Sequence, residues 1–214
     1  MKRNFLFGMI GLLFAFPGSL WADLNVTFNI DTTADRAPIS PYIYGSNFAL
    51  GEEENLASRR IGGNRLTGYN WENNYSNAGS DWNHYSDQYL VRDLPQQQRT
   101  LPGIVLTSFQ DSCIKEGIYS LITLQMAGYV SADKNGTVTE QQKAPSYRWK
   151  EVVYAKPTLF CDPPEKPDLT DNYVFMDECV NFLVSKYGNA STPTGVKGYC
   201  LDNEPALWSY THPR

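Results

Sequence analysis

Asp202-Asn203-Glu204-Pro205 stands directly after the strand-like run Gly198-Tyr199-Cys200-Leu201, and its position says more than its composition. In sheets of parallel strands, polar residues just beyond a carboxyl end point into the ligand crevice, and in (β/α)₈ barrels that end holds the active site. A carboxyl group beside an amide is there placed to move protons. Cleavage of a glycosidic bond is chemistry of this kind: one carboxylic acid protonates the departing oxygen, and a second carboxylate acts as nucleophile or base on the other side of the sugar. Carboxylates about 5 Å apart go with nucleophilic attack and retention, whereas about 6.5–9.5 Å leaves room for water and inversion. In that scheme Glu204 is the acid, and Asn203 bonds the 2-hydroxyl of the sugar, a contact that strengthens as charge develops. The competing reading is a helix N-terminus, with Asp202 or Asn203 as cap and Glu204 and Pro205 in the first turn.

Other residues could serve the same crevice. Gly62-Gly63-Asn64-Arg65 would bring backbone and guanidinium close to a ligand, since glycine allows close approach and arginine offers directed donors. A bulged strand end, or an ion pair of Arg65 beneath the acid, explains them equally well. Tyr69, Trp71 and Trp82 suit stacking on pyranose faces or packing within their own loop. Trp208, four residues after Glu204, is a further candidate, ahead of Tyr210 and His212. Asp162, Asp168 and Asp171 lie in a proline-rich loop where hard oxygen ligands could hold a structural Ca²⁺, against the simpler reading of turn formation and a helix cap at Asp171. Two histidines, His84 and His212, give little support to a zinc site or a Ser-His-Asp triad, and no cofactor is required.

Composition narrows the classes. Of 214 residues, 42% are hydrophobic and 19% charged, enough apolar material to bury a core and too little charge for a disordered chain. The formal net charge of -5, without any Lys/Arg cluster, argues against a nucleic-acid partner. Lys2 and Arg3 precede an uncharged apolar stretch from Phe5 to Phe16, which Pro17-Gly18-Ser19 break before Ala22. This is the layout of a signal peptide, residues 1–22, and the stretch falls short of the ~20 residues that cross a bilayer. Its loss leaves 16 basic against 23 acidic side chains, a net charge of -7. The expectation is a secreted, acidic monomer with no membrane segment after cleavage. Cys113, Cys161, Cys179 and Cys200 lie too far apart for metal-ligand spacing; one or two disulfides and buried unpaired thiols are both open.

The elements that must position these residues follow from periodicity. Residues 24–30 alternate apolar and polar, as a half-buried strand does. Tyr42–Gly45 and Ser58–Leu66 are further strand candidates, the second interrupted by Gly62-Gly63. Residues 69–103 read as a long polar loop that supplies little core. Ile104–Glu116 has helical spacing with Gly117 as a stop, and Tyr119–Leu124 reads as a buried strand. A second helix over Val174–Tyr187, ended by Gly188, feeds a strand over Val196–Leu201. Glycine-terminated helices leading into short apolar strands predict α/β architecture with parallel strands.

Longer runs carry a resemblance. Ile43 to Phe48, Arg59 to Asn74, Trp149 to Val152, Tyr187 to Gly195 and Tyr199 to Arg214 are similar to segments of glycoside hydrolase family 44, endo-acting β-glucanases and xyloglucanases. The resemblance implies a (β/α)₈ TIM barrel with an accompanying β-sandwich domain. Residues 23–40 would supply a strand of the sandwich, and residues 41–214 the amino-terminal half of the barrel. It further implies β-glucan or xyloglucan as substrate, retention of configuration, Glu204 at the acid/base position and a stabilising metal ion. The family's nucleophile is a second glutamate on a later barrel strand. A whole barrel takes ~250 residues; this chain passes the fourth strand and ends at Arg214. The 214 residues are therefore expected to lack the nucleophile and to be inactive alone. The alternative is a non-catalytic carbohydrate-binding module.

Overall fold

The computed structural model describes residues 26–47 and 56–213. The chain divides into two compact units, residues 1–38 and 39–214. In the first unit, residues 26–38 form no helix or strand. The strand expected over residues 24–30 is thus not formed in the described part of that range, where Val26, Phe28 and Ile30 are exposed. Alternation alone does not make a strand, because extended backbone satisfies its N–H and C=O groups only through a neighbour, and no strand pairs with it among the described residues. Asp31 instead closes a local turn, accepting from Thr33 N at 2.8 Å and Thr33 Oγ1 at 2.6 Å. The expected leader at residues 1–22 lies outside the described residues.

The second unit opens with a 3₁₀ turn, Pro41–Ile43, followed by strand β1 (Gly45–Asn47). The strand expected at Tyr42–Gly45 therefore starts later, since Pro41 suits the first position of a turn and Ser40 Oγ accepts from Tyr42 N. The single strand expected over Ser58–Leu66 is cut in two: β2 (Ser58–Ile61) and the one-turn helix α1 (Asn64–Thr67). Gly63, at φ 107°, makes the break in a region that glycine alone enters freely.

Residues 69–103 correct the expectation of a loop with little core. They include strands β3 (Gly68–Tyr69), β4 (Ser76–Asn77) and β5 (Tyr85–Asp87), and Tyr69, Trp71 and Val91 are fully buried. Asparagine makes this possible by standing in for a ladder. Asn77 Nδ2 donates to His84 O and Ser86 Oγ, both at 2.9 Å, and Asn74 Nδ2 to Leu101 O at 2.7 Å. Buried polar backbone satisfied in this way carries little penalty.

Helix α2 (Ile104–Glu116) and strand β6 (Tyr119–Leu124) lie where the periodicity puts them, with Gly117 at φ 68° as the stop. Strands β7 (Tyr129–Ser131), β8 (Gly136–Thr137), β9 (Trp149–Val153) and β10 (Tyr173–Phe175) follow. Helix α3 (Met176–Tyr187) begins two residues after the expected Val174, because β10 takes those residues to pair in parallel with β9. Strand β11 (Gly198–Leu201) and the short helix α4 (Trp208–Thr211) complete the chain.

Four strands form one parallel sheet in the order β1-β2-β6-β11. Its register pairs Asn47 with Arg60, Ile61 with Ile122, and Leu124 with Leu201, so the carboxyl ends share one edge. Strands β3-β4-β5-β8 make an antiparallel sheet, and β10-β9-β7 a mixed one. Leu106 and Phe109 of α2, Phe182 and Leu183 of α3, Ile122 of β6 and Trp71 meet in one buried cluster. The choice between disulfides and thiols falls to thiols: Cys113, Cys161, Cys179 and Cys200 are all free.

Candidate active site

The site grows from the last residue of β11. After Leu201 the chain turns at once: Asp202 takes φ 63° and its N–H returns to Cys200 O at 2.9 Å, while Glu204 takes φ 42°. Two non-glycine residues in the left-handed region cost of order 1–3 kcal/mol each unless their surroundings hold them. The Asp202 carboxylate supplies that hold. Oδ1 accepts from Thr67 Oγ1 at 2.6 Å and Asn203 N at 2.8 Å; Oδ2 accepts from Met126 N at 2.6 Å and Ala127 N at 3.1 Å. Asp202 is buried, and four donors answer its lone pairs, as a carboxylate taken out of water requires.

Asn203 is the next layer. Its Oδ1 accepts from Arg60 Nη2 at 3.2 Å, and its Nδ2 donates to Asn64 Oδ1 and to Glu204 Oε2, both at 3.1 Å. Trp208 Nε1 donates to Asn203 O at 2.8 Å, so this indole props the backbone of the turn. Arg60 also reaches Asn47 Oδ1 at 3.3 Å, tying the ends of β1, β2 and β11 together. Sequence reasoning had no separate signal for Arg60, which stood only inside a longer resembling run. Glu204 itself is exposed. The alternative of Asp202 or Asn203 as cap with Glu204 in the first turn is not formed: Glu204 itself stands at the capping position before the 3₁₀ turn Pro205–Leu207, and its side chain makes no capping bond.

Asn64 links the acid to a cleft. Its Nδ2 donates to Asp81 Oδ1 at 2.9 Å, and Asp81 lines a cavity of about 570 Å³ with Arg65, Trp82, Asp87 and Tyr89. Trp82 is 64% exposed there. A cavity of about 630 Å³ opens beside Lys156, Cys161 and Tyr173, but its lining residues make no described bond to Asn203 or Glu204.

Other expected residues are redistributed. Arg65 is not beneath the acid: it pairs with Asp87 at 2.6 Å, bonds Ser76 Oγ at 3.1 Å and lies 4.6 Å from the Tyr89 ring centre. Trp71 is fully buried, with ring centroid 5.5 Å from that of Phe182, and Tyr69 is fully buried with its hydroxyl on Asn74 Oδ1 at 2.8 Å. Neither ring can meet a ligand. His212 packs against the Gly79 turn, and burial lowers its pKa.

The calcium expectation at Asp168 and Asp171 does not find a ligand set. Asp168 Oδ1 is taken by its own turn, accepting from Thr170 N and Oγ1, and Asp171 Oδ1 accepts from Tyr173 N. The positive charge near Asp171 is already present as Lys150 Nζ, 3.5 Å from its Oδ1 and 3.1 Å from Glu72 Oε2. Among the described residues no group of three or more His, Cys, Asp or Glu converges as a metal site would need. Nor does Asp171 cap a helix, since α3 starts at Met176 after Phe175.

Comparison with known proteins gives the family. The profile of glycoside hydrolase family 44 matches residues 75–214. Endoglucanase A of Paenibacillus lautus is 58% identical over 192 residues, and a beta-mannanase/endoglucanase A of Caldicellulosiruptor saccharolyticus is 53% identical over 193. These alignments take in 89% and 88% of this chain but 27% and 14% of those proteins, so the chain spans about a quarter or less of their length. Among solved structures, a Paenibacillus polymyxa xyloglucanase with xyloglucan superposes with a TM-score of 0.79 at 62% identity, over 83% of this chain and 34% of the other. An endoglucanase from Clostridium thermocellum gives 0.79 at 59% identity, over 86% and 36%.

Proposed function

Because this chain belongs to glycoside hydrolase family 44, we propose that it is the amino-terminal part of a secreted endo-β-1,4-glucanase acting on cellulose-like or xyloglucan chains with retention of configuration. The observation that carries the reading is Glu204: an exposed carboxyl at the carboxyl edge of a parallel sheet, bonded to Asn203 and free of any capping duty. As the glycosidic bond lengthens, Glu204 gives its proton to the departing oxygen. The same group then takes a proton from the water that releases the sugar. One proton leaves in the first step and one returns in the second, so the carboxyl ends the cycle as it began it.

Asn203 is oriented before substrate arrives. Both Nδ2 hydrogens are engaged, on Asn64 and Glu204, so a sugar 2-hydroxyl would replace one of them. The four parallel strands would form the first half of a (β/α)₈ barrel, and the opposing carboxylate would come from a later strand about 5 Å across the sugar. The 214 residues alone are then expected to turn over little or nothing. The cleft at Trp82, Tyr89 and Arg65 is where the glucan chain would stack. Export rests on the signal-like residues 1–22.

The test uses the completed reading frame with Glu204→Gln. The kcat/KM for a glucan, whose leaving group is a sugar, should fall about 10²–10⁴-fold, and kcat/KM for a glycoside with an activated phenol leaving group should be much less affected, since it reports the first cleavage only. Wild-type turnover of the glucan by that variant would overturn the reading. Glucan binding without hydrolysis, equal in both proteins, would instead identify a non-catalytic carbohydrate-binding module, which the exposed Trp82 could also serve.

A further inference from the structure

We propose that Asp202 is a positioning residue for Glu204, an anchor that aims the acid without touching substrate; this rests on the reading of Glu204 as acid/base. The only described side-chain bond of the Glu204 carboxylate is to Asn203, so its direction depends on the backbone of the turn. That backbone is left-handed at both Asp202 and Glu204, a shape the chain does not keep unaided. The hold comes from three separate segments meeting on one carboxylate: Thr67 of α1, the backbone N–H groups of Met126 and Ala127 after β6, and Asn203 N. The one-turn helix α1 acts twice, since its Asn64 also receives Asn203 Nδ2. Thr67 and Asn64 thus fix Asp202 and Asn203, the two residues that lead into Glu204.

The chemistry requires a carboxylate. Three of the four partners are backbone N–H groups that can only donate, so an amide at this position would turn its NH₂ group against at least one of them in a buried place. Relief of that clash would rotate the turn and carry Glu204 with it. A displacement of about 1 Å at a reacting group costs roughly 10²-fold in rate.

The experiment compares Asp202→Asn, Thr67→Val and Glu204→Gln in the complete enzyme on a cello-oligosaccharide and on an aryl cellobioside with an activated phenol. The value of kcat/KM reports the first bond cleavage. Asp202→Asn should lower it about 10²-fold on the oligosaccharide at unchanged KM, and only a few-fold on the aryl substrate, which needs little protonation. Thr67→Val removes one donor and leaves the carboxylate; it should show the same pattern, about 10-fold, and carries the test if Asp202→Asn does not fold. Equal losses on both substrates, a change confined to KM, or a lower Tm with unchanged kcat in the folded enzyme would overturn the proposal and leave Asp202 a structural residue. An oligosaccharide-active Glu204→Gln variant would overturn the acid/base reading, a result distinct from a dead Glu204→Gln beside a fully active Asp202→Asn.

Discussion

Arg60 Nη2 lies 3.2 Å from Asn203 Oδ1, and this contact decides which way the amide faces. Arginine has no acceptor, so the amide oxygen must face it and Nδ2 is left for Asn64 and Glu204. The guanidinium reaches this place by crossing Gly62, where a methyl group would overlap its Cζ and Nη2. Gly62→Ala should therefore displace the end of a flexible side chain while leaving the backbone intact. We expect Tm within about 2 °C of wild type and kcat/KM of the complete enzyme down about 10-fold. Unchanged kinetics in a folded variant would show that the Arg60–Asn203 contact does not orient the amide.

Two tryptophans of one polar stretch should separate cleanly. Trp71 is fully buried against Phe182, and its replacement by alanine should cost about 3–5 kcal/mol in denaturant unfolding. Trp82 is 64% exposed beside Arg65 and Tyr89. Its replacement should change stability by under about 0.5 kcal/mol and weaken glucan-oligosaccharide binding about 10-fold by calorimetry. A Trp82→Ala variant that binds as wild type would remove this cleft from the substrate path.

The buried pair Glu72–Lys150 predicts a pH dependence of stability. Burial pushes the Glu72 pKa up to about 7 from an ordinary 4.5, against the pull of Lys150. The folded state thus holds this proton more tightly than the unfolded state does. The contribution of Glu72 is complete below about 4.5 and is lost as pH climbs to about 7. Wild type should accordingly lose stability relative to Glu72→Gln across that interval and keep a constant difference from it above. Melting temperatures of both proteins from pH 4.5 to 8 test this; a flat or opposite difference refutes it.

Two of the thiols should be slow to react. Burial raises Cys113 to about 11, and burial followed by the Glu178 carboxylate raises Cys161 to about 11. Alkylation by iodoacetamide at pH 8 should be about 10²-fold slower in the native protein than in denaturant. Peptide mass spectrometry reads each site, and fast native labelling of Cys161 would contradict its assigned surroundings.

What could be read from the chain alone is what local chemistry dictates. Helix α2 and strand β6 lie where periodicity puts them, and Gly117 stops the helix because a left-handed residue is needed there. Both signals span only a few neighbouring residues. The placement of Glu204 just beyond a strand was likewise legible, since strand and motif are contiguous. In the described part of the range expected as a strand, residues 26–30, none is formed for the opposite reason: a strand needs a partner that its own sequence does not name. Trp71 and Trp82 look alike in the chain, and only packing buries the first and exposes the second. Arg60 and Asp202 show the same limit. Their partners come from residues 47, 67, 126, 127 and 203, brought together by the register of four parallel strands. Sequence set the residue types and the local turns; the tertiary fold decided which donors meet which carboxylate, because hydrogen bonds across loops depend on distance in space rather than along the chain.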